Sequence, residues 1–297
     1  MRVLIILIGI VIALTSYSQA QVLETGHYGY ALNGLRGAHL PAPGFYYTTI
    51  NHIYTASQFR FNDGNVSEMN KSVMSFTNIN LFAYTPKQKI FGAKYSAMLG
   101  IPITNLALSP VDLSVNTARL GIGDLFVLPV ALEWQMKQVF VTARAGFFAP
   151  TGRFKAGANN NLGKGYLSHF YSVGATVYFD KEKRFHFSGI NTYQFCGQQA
   201  GTGVTAGQTN TFEWGLGSTF DERFDFGVVG FFQFQTTPQT GGDPSLHRAF
   251  HQQNGFGWEM GYTTKSHFSF RMRNYFELLA INRPQGNAFR FVISYRF

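Results

Sequence analysis

The chain closes on a stretch that fits only one kind of element. Phe289, Phe291, Ile293, Tyr295 and Phe297 fall on one side of an extended backbone; Arg290, Ser294 and Arg296 fall on the other with Val292. A period of two puts successive side chains on opposite faces, so this is a strand with one apolar and one polar surface. The pattern recurs upstream. Phe268, Phe270, Met272 and Phe276 oppose Ser269, Arg271, Arg273 and Glu277. Phe212, Trp214 and Leu216 oppose Thr211, Glu213 and Gly215, and Phe224, Phe226, Val228, Phe232 and Phe234 oppose Asp225, Gly227, Gln233 and Gln235. On the polar side of that last run Phe231 is the exception. Many such runs without helical periodicity predict an all-β chain closed into a transmembrane antiparallel barrel.

Counting the runs gives about twelve strands, an even number as single-chain bacterial barrels have. They fall near residues 44–59, 71–85, 89–104, 119–134, 138–149, 166–179, 184–196, 208–220, 223–236, 254–263, 266–280 and 287–297. Short charged connectors such as Asp221-Glu222 and Thr264-Lys265 alternate with longer Gly/Asn-rich ones such as Thr151 to Gly165. That alternation matches periplasmic turns and outer loops. The segment Asn282 to Gly286 is expected to be a short final loop.

Composition identifies the solvent of the apolar face. Charged residues make up 13% of the chain, against 31 Phe, 15 Tyr and 32 Gly. A water-soluble domain carries about 25% charge, and one this aromatic would be adhesive over much of its surface. Outer-membrane lipid is the partner that such a wall fits. The formal charge of +9 comes from Lys and Arg spread singly along the chain, so nucleic acid is not an expected partner.

The N-terminus supplies the route. Met1-Arg2, an apolar stretch from Val3 to Leu14, and Ser18-Gln-Ala20 before Gln21 form the layout of a signal peptide over residues 1–20. Cys196 is the sole cysteine, so no internal disulfide is possible. Residues 21–43 are dense in Gly and Pro and fit no strand. Tyr28, Tyr30, Leu35 and Arg36 argue against a solvated tail and for a segment lying in the lumen, Arg36 pairing with Glu213, Glu259 or Glu277. The barrel proper is then 44–297.

With the aromatic faces in lipid, Lys94, Glu133, Arg144, Glu213, Asp225, Glu259, Arg271, Arg273, Glu277 and Arg290 point inward. They form either a packed network that stiffens the barrel or a polar ladder along a conduit. Leu125, Val127, Pro129 and Ala131 are expected to add an apolar strip to that wall. Tyr295 and Phe297 resemble the C-terminal signal read by the barrel assembly machinery.

Gly34-Leu-Arg-Gly37, Pro41-Ala-Pro-Gly-Phe-Tyr46, Gly121-Ile-Gly-Asp124, Ala149-Pro-Thr-Gly-Arg-Phe154, Glu213-Trp-Gly215 and Arg283-Pro-Gln-Gly-Asn287 occur in this order along the chain. In these stretches it resembles the outer-membrane transporters grouped under the meta-cleavage pathway of phenol degradation. The resemblance implies a channel encoded with aromatic-degradation functions and carries over no catalytic residue.

Enzyme chemistry finds little support. Twelve-stranded phospholipases carry His-Gln-Ser-Asn-Gly, and His251-Gln-Gln-Asn-Gly255 has Gln253 at the nucleophile position. His247 and His251 lack a third ligand at metal-site spacing, and no cofactor motif occurs. The expected function is passive uptake of a small hydrophobic or aromatic solute. A general or nucleoside-like polar pore and a structural surface barrel are the alternatives.

Overall fold

A computed structural model describes residues 26–30, 32–61, 65–104, 120–158, 160–242 and 250–297. The expected signal peptide and His247 lie outside the described residues. Among the described residues twelve long antiparallel strands follow one another: β1 Gly44–Arg60, β2 Val66–Thr85, β3 Ala93–Thr104, β4 Leu125–Gln135, β5 Val139–Ala149 and β6 Ser168–Tyr178. Then come β7 Phe185–Cys196, β8 Thr209–Phe220, β9 Phe224–Gln235, β10 Gln252–Thr263, β11 Phe268–Ile281 and β12 Arg283–Arg296. Each strand pairs with its neighbours in sequence, and β12 pairs with β1 through Tyr295↔Tyr47, Ile293↔Thr49 and Phe291↔Asn51. The sheet is a closed up-and-down barrel, which leaves no edge to satisfy in lipid.

Burial runs opposite to that of a soluble protein. In β9, Phe232 is 49% exposed and Phe234 42%, while Gln233 is 3% exposed and Asp225 4%. The aromatic face of β9 is therefore on the outer wall, and its polar face is packed inside. The turn from β8 to β9 uses Asp221 and Glu222, both at positive φ (48° and 58°). Two left-handed residues in succession give the hairpin twist that matches the flanking strands.

Two expectations are corrected. In β4, Leu128 and Ala131 are buried, but Pro129 and Val130 are exposed, and the pairing with β5 shifts between Val127 and Val130. Val127 pairs with Leu99 of the outer wall, so Val127 and Leu125 share that side. Of the expected inward strip only Ala131 remains; Phe126 and Leu128 take the inward places. Proline cannot donate to a ladder and is accommodated at such a bulge. The expected loop 282–286 is also absent. Arg283 to Gly286 already belong to β12 and pair with Arg60 to Ala56 of β1, leaving Asn282 at φ 54° as the connector. Asparagine tolerates that conformation better than most residues.

Candidate functional site

The charged residues expected to point inward are held in ion pairs and hydrogen bonds. Lys94 Nζ meets Glu133 Oε1 at 2.8 Å. Arg271 bridges Asp225 at 2.9 Å and Glu259 at 3.2 Å, and Arg273 Nε meets Glu259 Oε2 at 2.7 Å. Uncompensated charges at this burial would cost several kcal/mol each. Pairing removes much of that cost but leaves carboxylate lone pairs and guanidinium protons to satisfy.

Residues 26–30 and 32–40 meet that need. An irregular segment has no ladder for its own N–H and C=O groups, so side chains must serve them. Leu35 N donates to Glu259 Oε2 at 3.1 Å, Leu40 N to Glu133 Oε2 at 2.6 Å, and Asn33 N to Glu213 Oε1 at 3.1 Å. Cations take the carbonyls: Arg144 reaches Gly37 O at 2.6 Å, Lys94 reaches Leu40 O at 2.9 Å, and Arg290 reaches Tyr30 O at 2.9 Å. Tyr28 donates its hydroxyl to Glu213 at 3.0 Å, and Tyr30 donates its own to Glu277. These partners come from β3, β4, β5, β8, β10, β11 and β12.

Apolar contacts follow the same path. Leu35 and Leu40 are fully buried. Tyr30 and Leu35 pack with Val229, Phe231, Tyr275 and Ala288, and the rings of Tyr30 and Phe231 stack at 4.0 Å. Phe231 and Val229, apolar residues on the otherwise polar face of β9, are inward for this contact. Tyr28 and Leu40 pack with Leu128, Ala131, Phe148 and Phe170. A Cβ at Gly215 would fall 2.6 Å from Leu35 Cα, so the approach of segment to wall requires glycine there.

Arg36 pairs with Asp225 at 3.0 Å, not with any of the three expected glutamates. Those are occupied: Glu213 by Tyr28 and Asn33, Glu259 by Leu35, Arg271 and Arg273, and Glu277 by Tyr30, Tyr54 and Gly286.

His27 and Ser168 carry no signal in the sequence, and Asp124 stands there only within the stretch Gly121-Ile-Gly-Asp124. His27 Nε2 lies 2.8 Å from Asp124 Oδ2, and its Nδ1 lies 2.9 Å from Ser168 Oγ. Burial opposes ionisation of Asp124, but His27 and the backbone N–H groups of Lys164 and Gly152 outweigh it and hold the carboxyl below its ordinary pKa. The order Ser–His–Asp is that of a nucleophilic triad. Here, however, Ser168 is fully buried and its Oγ accepts from Gln194 Nε2 at 2.8 Å, which leaves no approach for an acyl group. The three residues tie the start of the segment to the wall. Among the described residues no cluster of His, Cys, Asp and Glu converges as a metal site.

The family model described as "Putative MetA-pathway of phenol degradation" matches residues 56–293. The chain belongs to this family. The match runs from the outer part of β1 into β12 and leaves residues 26–43 outside it. Among solved structures, the COG4313 outer membrane channel from Pseudomonas putida F1 aligns with a TM-score of 0.76 at 12% identity, covering 93% of this chain and all of that one. At that identity the likeness is one of fold. NanC porin aligns at 0.47 with 10% identity over 84% of this chain and 100% of its own, and the P. putida toluene transporter TodX at 0.42 with 9% over 86% and 91%. Likenesses of that size carry no argument. No curated protein matches the chain. Family and fold together make this an outer-membrane barrel whose wall lies in lipid.

Proposed function

We propose that the protein is a passive channel for small aromatic molecules, not an enzyme. The observation that carries this reading is the mixed inward face. Phe126, Phe148, Phe170, Phe231 and Tyr275, packed against Tyr28, Tyr30, Leu35 and Leu40, make the interior aromatic and apolar beside fixed charges such as Arg144 and Arg290. Weakly polar rings gain from such surface, whereas a sugar must be hydrogen-bonded throughout. Residues 26–43 serve as a constriction in the lumen, and the charged residues from Lys94 to Arg290 line the route beside it. The contacts of Tyr28, Tyr30, Leu35 and Arg36 support that arrangement.

Purified protein in liposomes is expected to admit phenols and benzoates while excluding sugars and nucleosides of similar mass. Equal passage of both sets would make it a general polar pore, and passage of neither would make it a structural barrel.

Export by cleavage after Ala20 and delivery to the barrel assembly machinery complete the reading, with Tyr295 and Phe297 as the signal. Phe297 N donates to Phe45 O at 2.9 Å, and its ring packs on Phe45 and Tyr295. The last residue thus also fastens the closing seam between β12 and β1. Deleting Phe297 is expected to lower the heat-modifiable, folded fraction several-fold in outer membranes. Wild-type levels of the truncated chain would remove the signal role.

A further inference from the structure

Among the described residues the outer wall carries a contiguous polar group of four on β1 and β2. Phe289, Phe291 and Ile293 of β12 point outward and pair with Ile53, Asn51 and Thr49. Asn51 and Thr49 pair in turn with Asn78 and Asn80 of β2, which pair with Ile103 and Ile101 of β3. Residues directly opposite across antiparallel strands share a face. Thr49, Asn51, Asn78 and Asn80 therefore stand together on the outer wall. Among the described residues the outward Asn191 lies between Val173 and Phe212 and Asn274 between Trp258 and Phe289, each without a polar partner across the sheet, and the pair Thr55 and Asn287 stands one outward step beyond Ile53 and Phe289.

The four residues form one hydrogen-bonded ladder. Asn78 Nδ2 donates to Thr49 Oγ1 at 2.8 Å and Asn51 Oδ1 at 2.9 Å, spending both protons. Asn80 Nδ2 donates to Asn78 Oδ1 at 2.8 Å, and Tyr47 donates its hydroxyl to Asn80 Oδ1 at 2.6 Å. Among the described residues nothing accepts from Asn51 Nδ2 or from the second proton of Asn80 Nδ2. Acyl chains offer no acceptor, so each such donor is costly where it stands.

We propose that this ladder is the contact surface for a second copy of the chain, giving a parallel homodimer in the outer membrane. Two copies inserted with the same sidedness are related by a two-fold axis along the membrane normal. That axis brings residues of equal depth together, so the ladder meets itself. Its groups are neutral and both donate and accept, which is the self-complementarity an isologous interface requires. The amide protons of Asn51 then find Asn51 Oδ1 or Thr49 Oγ1 of the other copy. Lipid tails are as apolar as Ile53 or Phe291, so apolar packing alone gives little drive to associate, and the polar pairing selects the face. A cyclic arrangement of another order would need a matching ladder elsewhere on the wall, and Asn191 and Asn274 are isolated.

The full chain carrying Cys196→Ser tests this in native outer membranes. Asn51→Cys, oxidised with copper phenanthroline, is expected to give a disulfide-linked dimer several-fold above Val228→Cys, placed on β9 far from the ladder. Equal yields from the two variants would overturn the proposal. In the second measurement, native mass spectrometry from mild detergent should report a dimer for the wild type. The Asn51→Leu/Asn78→Leu double variant should be a monomer that still shows heat-modifiable migration. A folded double variant that remains dimeric would also overturn it.

Discussion

Phe270→Arg is expected to destabilise the barrel by about 1–3 kcal/mol, the cost of an arginine facing lipid between the interface and mid-depth. Phe270 lies on the outer face of β11, beside Ile293 of β12 and Tyr262 of β10, and is exposed to the membrane. The next residue is already an arginine. Arg271 points inward and is held between Asp225 and Glu259, so the same side chain is accommodated one position away. What differs is the side of the wall. An inserted guanidinium at 270 has no carboxylate within reach and must bend towards the headgroups or draw water into the band. Phe270→Leu, which keeps the face apolar, should cost less than about 1.5 kcal/mol. Urea unfolding in lipid vesicles separates these cases. If Phe270→Arg unfolds at the wild-type midpoint, Phe270 does not face lipid.

The same logic explains which parts of the fold were legible. β8, β9 and β12 are read directly from sequence, because their two faces differ in chemistry and the period of two is visible. β4 is not. Leu125-Phe-Val-Leu-Pro-Val-Ala131 is apolar on both faces, so alternation carries no phase information, and the bulge at Pro129 then inverts any assumed register. The start of β12 reads as a loop because Pro284 and Gly286 are turn formers, yet pairing to β1 outweighs that preference. β1 and β2 are weakly amphipathic in sequence, and the physical cause is the Asn/Thr ladder, which places polar groups on the outer side.

The candidate site divides in the same way. Inward carboxylates and arginines follow from strand phase alone. Their partners do not, since these are set by a segment whose backbone turns have no sequence period. Arg36 is drawn to Asp225 because the glutamates are already satisfied by backbone N–H groups and tyrosine hydroxyls. Nothing in the sequence distinguishes His27 from the other histidines. Its role depends on Asp124 and Ser168, each remote along the chain.

Removing residues 26–40 should have the largest effect on passage. The segment sets Leu35 against the glycines of β8 and β9 and Leu40 against Leu128 and Phe170, while its backbone spans side chains from most of the strands. A twelve-stranded barrel has a limited interior, so on the proposed arrangement a chain of this length crossing it governs what can pass. Without it, Glu133, Glu213, Glu259 and Glu277 lose hydrogen-bond donors, but water entering the space replaces them, and the Lys94–Glu133 and Arg273–Glu259 pairs remain. The sheet ladders use none of the deleted residues. The truncated protein is therefore expected to insert and stay heat-modifiable at a lower unfolding temperature, with single-channel conductance raised several-fold. Discrimination between phenols and sugars should fall at the same time, because the groups that narrow the route are gone while the charged wall remains. Planar-bilayer recording of the deletion beside the full chain decides it: a correctly inserted deletion with unchanged conductance would mean that the segment does not constrict the lumen.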